Sequence, residues 1–440
     1  MTYALDTYGQ KVSGASAETI AAINRFGSEW ISYGPDLAGV IAAAQAEPAC
    51  ALANAFAALL HMSLEAASGY AAATPFLERL RSAQQHATPR EQAIVEAALH
   101  WGAEDYGASL KAFEAAVSLA PSDIVAAKWG QYLAFNLGDA AAMLRLGRQI
   151  MTVHRKTAEA WGMLAFAQEQ SHQLHLAEDS ASQALALNPR EAWAQHALAH
   201  VFETHGRLDE GIRVLTQAAP GWSDRSIFMR EHNYWHLALF HLDRDEPARA
   251  LEIYDQQLWG AWPEFAQEQI GAISMLWRLE LRGVDVGSRW APVAARVVQR
   301  APEHLWPFHD LHYIHAISRH GTQAQANGFL ATMKDKAQRA GGVWKDIAVP
   351  AAQAIVACNQ GRHGEACDVL TPLLPQLFRI GGSHAQRDVF VQAWIDASFR
   401  SKRLSALDHV LAERSHDRPT VSAHRRDLDR LSAAKAQSTG

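Results

Sequence analysis

The sequence predicts an all-α protein built as an α-solenoid, in which stacked helix-turn-helix repeats curl around a concave pocket. Alanine-rich segments of roughly 12 to 18 residues recur along the whole chain and are separated by short breaks containing Pro, Gly, Asp or Asn. Alternating runs of β-branched residues, which would indicate strands, are scarce. The breaks recur with a period near 34 residues, which is typical of helical hairpin repeats.

The clearest copy of the repeat runs from about Ala158 to Glu191. A tetratricopeptide unit needs a large and a small residue on its first helix, small residues where its second helix crosses closely, and a proline at its end. Those positions are held by Trp161, Leu164, Ala165, Ala177, Ala184 and Pro189. Related units surround it, so we expect the clearest repeats over residues 90–258, including a helix pair within Asp123–Thr152.

Beyond Gly260 the period blurs, although the helical pattern continues. We expect degenerate repeats over residues 264–431, so that residues 1–431 form a single solenoid, and a frayed tail over residues 432–440. The predicted helical segments are Glu264–Leu281, Pro307–His320, Thr322–Ala340, Trp344–Cys358, His363–Leu377, Ser383–Arg400 and, more loosely, Ser401–Leu431.

Composition narrows the class of protein. With 49% hydrophobic and 20% charged residues the chain can bury a core, and its formal net charge is -6. Without a basic field, nucleic acid and acidic membranes are not expected as partners. Neither a signal peptide nor a membrane span is predicted. The three cysteines form no CxxC pair, which favours a reducing cytoplasm.

Histidine is the residue type that stands out. Of 22 histidines, six fall between His196 and His241 and five between His304 and His320. His196 and His200 are four residues apart on one predicted helix, and so are His232 and His236, so each pair projects from one face. The set His196, His200, His232 and His236, or three of these imidazoles with Glu203 or Asp310, would suit zinc, iron, nickel or copper.

A structural role for these histidines is the alternative. In the repeat register His196, His200 and His241 face the partner helix, where hydrogen-bonded core histidines would be sufficient. The sequence lacks the GxSxG motif of hydrolases and the HExxH motif of zinc enzymes. It also lacks the GxxxxGK(S/T) phosphate-binding loop and the GxGxxG dinucleotide-binding turn. Their absence does not decide whether the protein is an enzyme.

Two further segments carry candidate groups. Asp310 lies between His309 and His312, and a carboxylate near an imidazole fixes its tautomer for metal binding or general-base work. In Gly381–Asp388, Ser383 and Gln386 form the pattern of a capping box, which starts a helix beside Arg387. A small anion could dock at that start; the alternative is a capped helix whose arginine pairs with a nearby carboxylate.

On the basis of these residues, the chain resembles the tetratricopeptide repeat protein 38 family over nearly its whole length. The resemblance is carried by Asp123–Lys128, Trp193–Val201 with Gly206, Arg207, Glu210 and Gly211, His232–Phe240, Leu276–Glu280 and Gly381–Phe390. The paired histidines and the Gly-Gly-Ser-His-Ala-Gln-Arg-Asp loop are specific to that family. This chain departs from the family pattern at Gln168–Gln170 and at His309, and the family carries no assigned reaction.

The resemblance implies that a recurrent set of polar groups meets in one pocket. The set is His196, His200, His232, Trp235, His236, Asp310, His312, His384, Arg387 and Asp388. We expect a repeat protein that binds a small molecule, a peptide or another partner in a pocket lined by His and Trp. The alternative is a metal-dependent or histidine-based hydrolase or lyase acting on a small anionic substrate, with a transition metal as the cofactor that would fit. A homo-oligomer stays an open expectation.

Overall fold

The computed structural model describes residues 3–418 and 420–438, and nearly all of its regular structure is helical. A short antiparallel hairpin precedes the helices, with strands β1 (Tyr3–Leu5) and β2 (Lys11–Ser13). The first eleven helices are α1 (Ala17–Ser32), α2 (Gly39–Ala46), α3 (Ala51–Met62), α4 (Ala67–Ala83), α5 (Pro89–Gly102), α6 (Tyr106–Leu119), α7 (Ile124–Asn136), α8 (Ala140–Ile150), α9 (Ala158–Gln170), α10 (Leu174–Leu187) and α11 (Ala192–Thr204).

The helices continue to the end of the described chain. They are α12 (Leu208–Ala218), α13 (Ile227–Asp243), α14 (Pro247–Ile253), α15 (Ala266–Leu281), α16 (Trp290–Gln299), α17 (Pro307–His320), α18 (Gln323–Ala340), α19 (Val349–Asn359), α20 (His363–Leu370), α21 (His384–Arg400), α22 (Leu404–Asp417) and α23 (Ser422–Ser438). Short 3-10 turns lie at Gln84–His86, Ala219–Trp222, Gly287–Arg289 and Leu374–Ile380, and π turns at Tyr254–Leu258 and Trp344–Ala348. The predicted all-α solenoid class is confirmed.

Most predicted helices lie where their patterns put them, and the exceptions have local causes. Helix α17 has the predicted bounds, and α21 begins one residue after its predicted cap. The predicted helix His363–Leu377 is wrong beyond Leu370, because Pro372 and Pro375 remove backbone donors and the chain turns into a 3-10 segment. Helix α16 was not predicted.

The described residues divide into two compact units. The first comprises the described chain up to Leu198 together with Gly221–Met229, and the second comprises Ala199–Pro220 and the described chain from Arg230 onward. The boundary falls inside α11 and near the start of α13. Whether residues 1–431 behave as the single predicted solenoid stays a prediction.

In the first unit successive helices pack as hairpins. Helix α5 packs on α6, α7 on α8 and α9 on α10, while α6 contacts α7 and α8 contacts α9, which joins each hairpin to the next. The small residues Ala165, Ala177 and Ala184 are completely buried in the α9–α10 hairpin, as the repeat pattern predicts. Burying methyl groups at these positions lets the helix backbones approach closely.

The second unit uses the same kind of packing in its C-terminal half. Helix α17 contacts α16, α18 and α19, helix α21 contacts α15 and α20, and α22 packs on α23. In its N-terminal part a close approach depends on Gly211, because a Cβ added there would lie 2.3 Å from the ring of Phe240. Glycine at this position lets α12 lie against α13.

The C-terminal segment is helical as far as the structure describes it. Helix α23 ends at Ser438, so residues 432–438, which were expected to be a frayed tail, continue this helix, and residues 439 and 440 lie outside the described residues. Among the described helices, none combines the length and the apolar character needed to cross a bilayer.

We expect Ala184→Trp to destabilise the protein, because an indole cannot fit where α10 crosses α9 and overpacking costs about 1–3 kcal/mol. Ala186 is exposed on the same helix, so Ala186→Trp serves as the matched control. The free energy of unfolding from urea titration should fall for the first variant and stay near the wild-type value for the second. Equal values for both would show that the repeat register is wrong.

Candidate functional site

Three histidines of the second unit come together where α11 meets α13. His200 lies on α11, and His232 and His236 lie one turn apart on α13. The rings of His200 and His236 are 4.4 Å apart between centroids, and those of His232 and His236 are 5.0 Å apart. Each ring offers a nitrogen within 4.8 Å of the others. This three-histidine cluster has the donor atoms of a transition-metal site.

Burial favours the neutral form of the His232 imidazole. His200 and His236 are completely buried. Desolvation lowers the pKa of His232 well below its ordinary value, and the neighbouring His236 lowers it further. Neutral imidazole is the form that binds metals, so protons compete weakly for the nitrogens of His232 at neutral pH.

Glu203 lies beside the cluster, one turn after His200 on α11. Its carboxylate Oε2 is 3.6 Å from Nδ1 of His236. Burial, followed by the charge of Asp243, raises the pKa of Glu203 to about 7, while Arg418 and His384 oppose the shift. A carboxylate on the Nδ1 side of an imidazole orients the ring and favours ligation through Nε2.

Trp235 forms one wall of the cluster. Its indole lies parallel to the ring of His232 at 5.6 Å and edge-on to His236 at 5.0 Å. The indole Nε1 is buried and makes no hydrogen bond to the described part of the chain. A buried donor without a partner costs about 1–3 kcal/mol, and an acceptor atom at this position would remove that cost.

The guanidinium of Arg278, on α15, lies over the face of Trp235 at 5.3 Å. It is buried and donates hydrogen bonds to the hydroxyl of Ser274 and to the carbonyl of Ala385 at 2.6 Å. Among the described residues its direct partners are neutral, and Asp388, the first of the carboxylates that act on it, does so through space. The charge of Arg278 is therefore available to stabilise an anion nearby.

Helix α21 brings His384 to the same place. Its N-cap Ser383 and Gln386 form the predicted capping box, with Oγ of Ser383 accepting from the backbone of Gln386 at 3.2 Å. The ring of His384 lies 5.4 Å from that of His200, and its Nε2 is 3.0 Å from the hydroxyl of Thr204. The sequence-based hypothesis of one pocket requires this juxtaposition, and that the rings share a ligand stays a proposal.

His312 lies on α17, against the ring of Phe390 at 5.2 Å. Its Nδ1 donates to the carbonyl of Phe308 at 2.8 Å, and its Nε2 is buried without a hydrogen-bond partner among the described residues. Burial lowers the pKa of His312 to about 3, and the charge of Arg278 contributes. The ring is therefore a neutral acceptor near the candidate site.

Of four further predicted site residues, one belongs to the first unit and the other three have partners of their own. His196 belongs to the first unit, where its ring stacks on Trp193 at 4.2 Å; its place in a four-histidine ligand set stays a prediction. Asp310 accepts from Nδ1 of His304 at 2.5 Å instead of pairing with His309 or His312. The reason is that the loop before α17 folds back on the first turn of that helix.

Arg387 and Asp388 also serve local structure. Arg387 donates to the carbonyls of Gly381 and Gly382, so the guanidinium turns back on its own loop rather than toward an anion at the helix start. Asp388 forms a two-pronged ion pair with Arg414, with Nη1–Oδ1 at 2.5 Å and Nη2–Oδ2 at 3.2 Å. The pair, opposing the effect of burial, holds the pKa of Asp388 well below its usual range.

Sequence reasoning missed Arg278 and Asn233 as site residues. Both amide atoms of Asn233 are buried without a partner among the described residues, next to His232 on α13. Each residue lies within a segment that carries the family resemblance, Leu276–Glu280 and His232–Phe240. Their position inside these segments was the only feature of the sequence that could have identified the two residues as site residues.

No protein-family model matches the chain. Among solved structures, the human IFIT1 dimer with PPP-AAAA is similar at 12% identity and a TM-score of 0.43, covering 87% of this chain and 91% of that one. The human IFIT1 dimer with m7Gppp-AAAA gives the same identity and score over 98% and 96%. The P58(IPK) TPR domain is similar at 12% identity and a TM-score of 0.23, over 80% and 99%.

These likenesses correct one expectation. The sequence excluded nucleic acid as a partner on net charge alone, and the matched IFIT1 structures hold PPP-AAAA and m7Gppp-AAAA, so that exclusion was wrong. Net charge sums over the whole chain and does not describe a local surface. TM-scores of this size do not identify a ligand of this chain.

We expect His312→Asn to change how stability depends on pH. The unfolded imidazole takes up a proton below about pH 6.5, while the folded one stays neutral to about pH 3, so stability is complete above pH 6.5 and is lost as pH falls. Asparagine keeps a donor for the carbonyl of Phe308 but cannot be protonated.

Between pH 7.5 and 5.5 the wild type should lose about 1.4 kcal/mol more of its free energy of unfolding than the variant does. Urea titrations of both proteins at the two pH values measure this difference. Equal losses of unfolding free energy in the wild type and the variant would mean that the ring of His312 titrates normally in the folded protein.

Proposed function

We propose that the protein is a helical-repeat binding protein that holds a transition-metal ion at His200, His232 and His236. The observation that carries the proposal is the convergence of three imidazoles from two helices, with ligand nitrogens within 4.8 Å of one another. Three protein ligands leave a coordination position for a further group.

The donor set suits a metal such as zinc, copper or nickel. Imidazole is the ligand these ions prefer in proteins, and an all-histidine set does not favour magnesium or calcium, which take oxygen ligands. Glu203 beside His236 supplies the carboxylate that commonly orients a metal-binding imidazole. These features support metal binding over a purely hydrogen-bonded core role for the three rings.

The surroundings support a small molecule as the group that fills the open position. Trp235 offers an apolar face and a buried N–H donor, and His384 lies beside His200. A largely apolar wall with a few converging polar groups is typical of small-molecule sites. A peptide partner, a homo-oligomer and a cytoplasmic location stay predictions, as does membership of the tetratricopeptide repeat protein 38 family.

The second candidate is a metal-dependent or histidine-based hydrolase or lyase acting on a small anionic substrate. The buried guanidinium of Arg278 favours it, because its direct partners are neutral and an anion near Trp235 would meet its positive charge. Turnover of p-nitrophenyl phosphate by zinc-loaded protein tests this candidate. Activity should disappear in both His236→Gln and Arg278→Lys, and activity that survives in both excludes this site.

We expect untagged wild-type protein to bind one Zn²⁺ per chain in isothermal titration calorimetry. His236→Gln removes one of three ligands, so the dissociation constant should rise at least about 10–100-fold, the range that loss of even an outer partner causes. His232→Gln should act in the same direction.

His241→Asn is the matched control, because His241 lies on the same helix but its Nδ1 is paired with Glu246 at 2.7 Å. Its zinc affinity should equal that of the wild type. Wild-type protein that binds no zinc, or His200, His232 and His236 variants that bind it unchanged, would contradict the proposal.

A further inference from the structure

A second group of reactive side chains lies in the second unit, in the loop before α17, on α17 and on α18. The hydroxyl of Thr332 is 2.7 Å from Nε2 of His304, and Nδ1 of the same imidazole is 2.5 Å from Oδ2 of Asp310. The three groups form a chain of hydroxyl, imidazole and carboxylate. This is the arrangement that activates a hydroxyl as a nucleophile, with a base next to it and a third group orienting the base.

We propose that Thr332, His304 and Asp310 form an acyl-transfer site that takes activated carboxylic esters. The proposal is independent of the metal proposed above, because none of these residues belongs to the three-histidine cluster.

Burial and exposure are distributed as such a site requires. His304 and Asp310 are buried, with side chains 4% and 3% exposed, whereas Thr332 is exposed on α18. A substrate can therefore reach the hydroxyl while the base and the carboxylate stay shielded from water. Shielding strengthens the interaction between imidazole and carboxylate.

The position of the imidazole is fixed from several sides. His304 has a backbone φ of 46°, in the left-handed region that residues with a Cβ rarely adopt. Its ring lies edge-on to Phe329 at 5.0 Å and to Trp344 at 6.4 Å. A strained backbone held by surrounding contacts is common at functional sites, and here it aims the ring at both Asp310 and Thr332.

The hydrogen bonds select the tautomer that a base needs. Asp310 accepts from Nδ1 of His304, and in the tautomer that has its proton on Nδ1, Nε2 would carry the lone pair that faces Thr332. The Thr332 oxygen also lies 3.2 Å from the carbonyl of Gly328 and 3.1 Å from that of Phe329. These carbonyls compete for the hydroxyl proton when no substrate is bound, and they hold the oxygen at the surface of α18.

The reaction would proceed by ordinary acyl transfer. Oγ of Thr332 attacks the ester carbonyl, the Oγ–C bond forms, and the bond from that carbon to the leaving oxygen breaks. His304 takes the hydroxyl proton at Nε2 and passes it to the leaving oxygen. Water then attacks the acyl-threonine, His304 removes a proton from that water and returns it to Oγ, and a carboxylic acid leaves.

Lys336 supplies positive charge near this group. It lies one turn after Thr332 on α18, its charge acts on Asp310, and its ammonium is 5.7 Å from the ring of Trp344. A cation on the same helix face as the nucleophile would stabilise the negative charge that develops on the carbonyl oxygen during attack.

The test uses the full-length protein and p-nitrophenyl acetate. We expect an acetyl group on Thr332, detected by peptide mass spectrometry after brief exposure, together with release of p-nitrophenol. Thr332→Val keeps the shape of the side chain and removes the hydroxyl, so the rate of release should fall at least about 100-fold. Thr332→Ser should retain it, and Asp310→Asn should lower it with Thr332 still present.

Thr152→Val is the matched control, because Thr152 is exposed and its hydroxyl also donates to a helix carbonyl, that of Gln149 at 2.7 Å. No histidine of the described chain forms a hydrogen bond with this hydroxyl. The variant should react at the wild-type rate. Chelation of metals should also leave acetylation of Thr332 unchanged. An unmodified Thr332, or ester turnover that persists in Thr332→Val, would overturn the proposal.

Discussion

The candidate site depends on the burial of imidazole rings between α-helices. Desolvation disfavours the charged form of a buried imidazole, and each of its two nitrogens needs a hydrogen-bond partner. His232 and His312 both have lowered pKa values for this reason. Neutral, buried imidazoles with defined orientations are also good metal ligands, so the same constraint prepares these rings to bind an ion.

A network of arginines and carboxylates holds the C-terminal helices beside these rings. Arg414 of α22 pairs with Asp388, one turn after His384, and Arg418 donates to the backbone carbonyl of Glu203 at 3.3 Å. The hydroxyl of Thr420 donates to the carbonyl of Gly206 at 3.0 Å. Because Glu203 and His384 lie within this network, the chain after α21 takes part in building the environment of the site.

The sequence was informative wherever local physics decides the structure. The spacing of apolar residues and the cap at Ser383 predicted α17 and α21 nearly to the residue, and the buried alanines of α9 and α10 followed from the repeat register. Periodicity of 3.6 residues and capping chemistry act over a few residues, so they can be recognised without a structure.

Long-range pairing was not predictable in the same way. Asp310 stands next to His309 in the sequence, yet it binds His304, because a left-handed residue turns the preceding loop back on the helix. Arg278 is hidden in an apolar helix, and only the packing of α15 on α21 brings it to the carbonyl of Ala385. Such partners depend on tertiary contacts that composition and spacing do not specify.

The central claim is that His200, His232 and His236 act together as ligands. The most direct measurement is an anomalous difference map, recorded at the zinc absorption edge from crystals of the untagged protein grown with Zn²⁺. We predict one strong peak at about 2.0–2.1 Å from a nitrogen of each of the three rings, the distance of a zinc–imidazole bond. A map with no peak there, or with zinc bound only to surface histidines, would contradict the account.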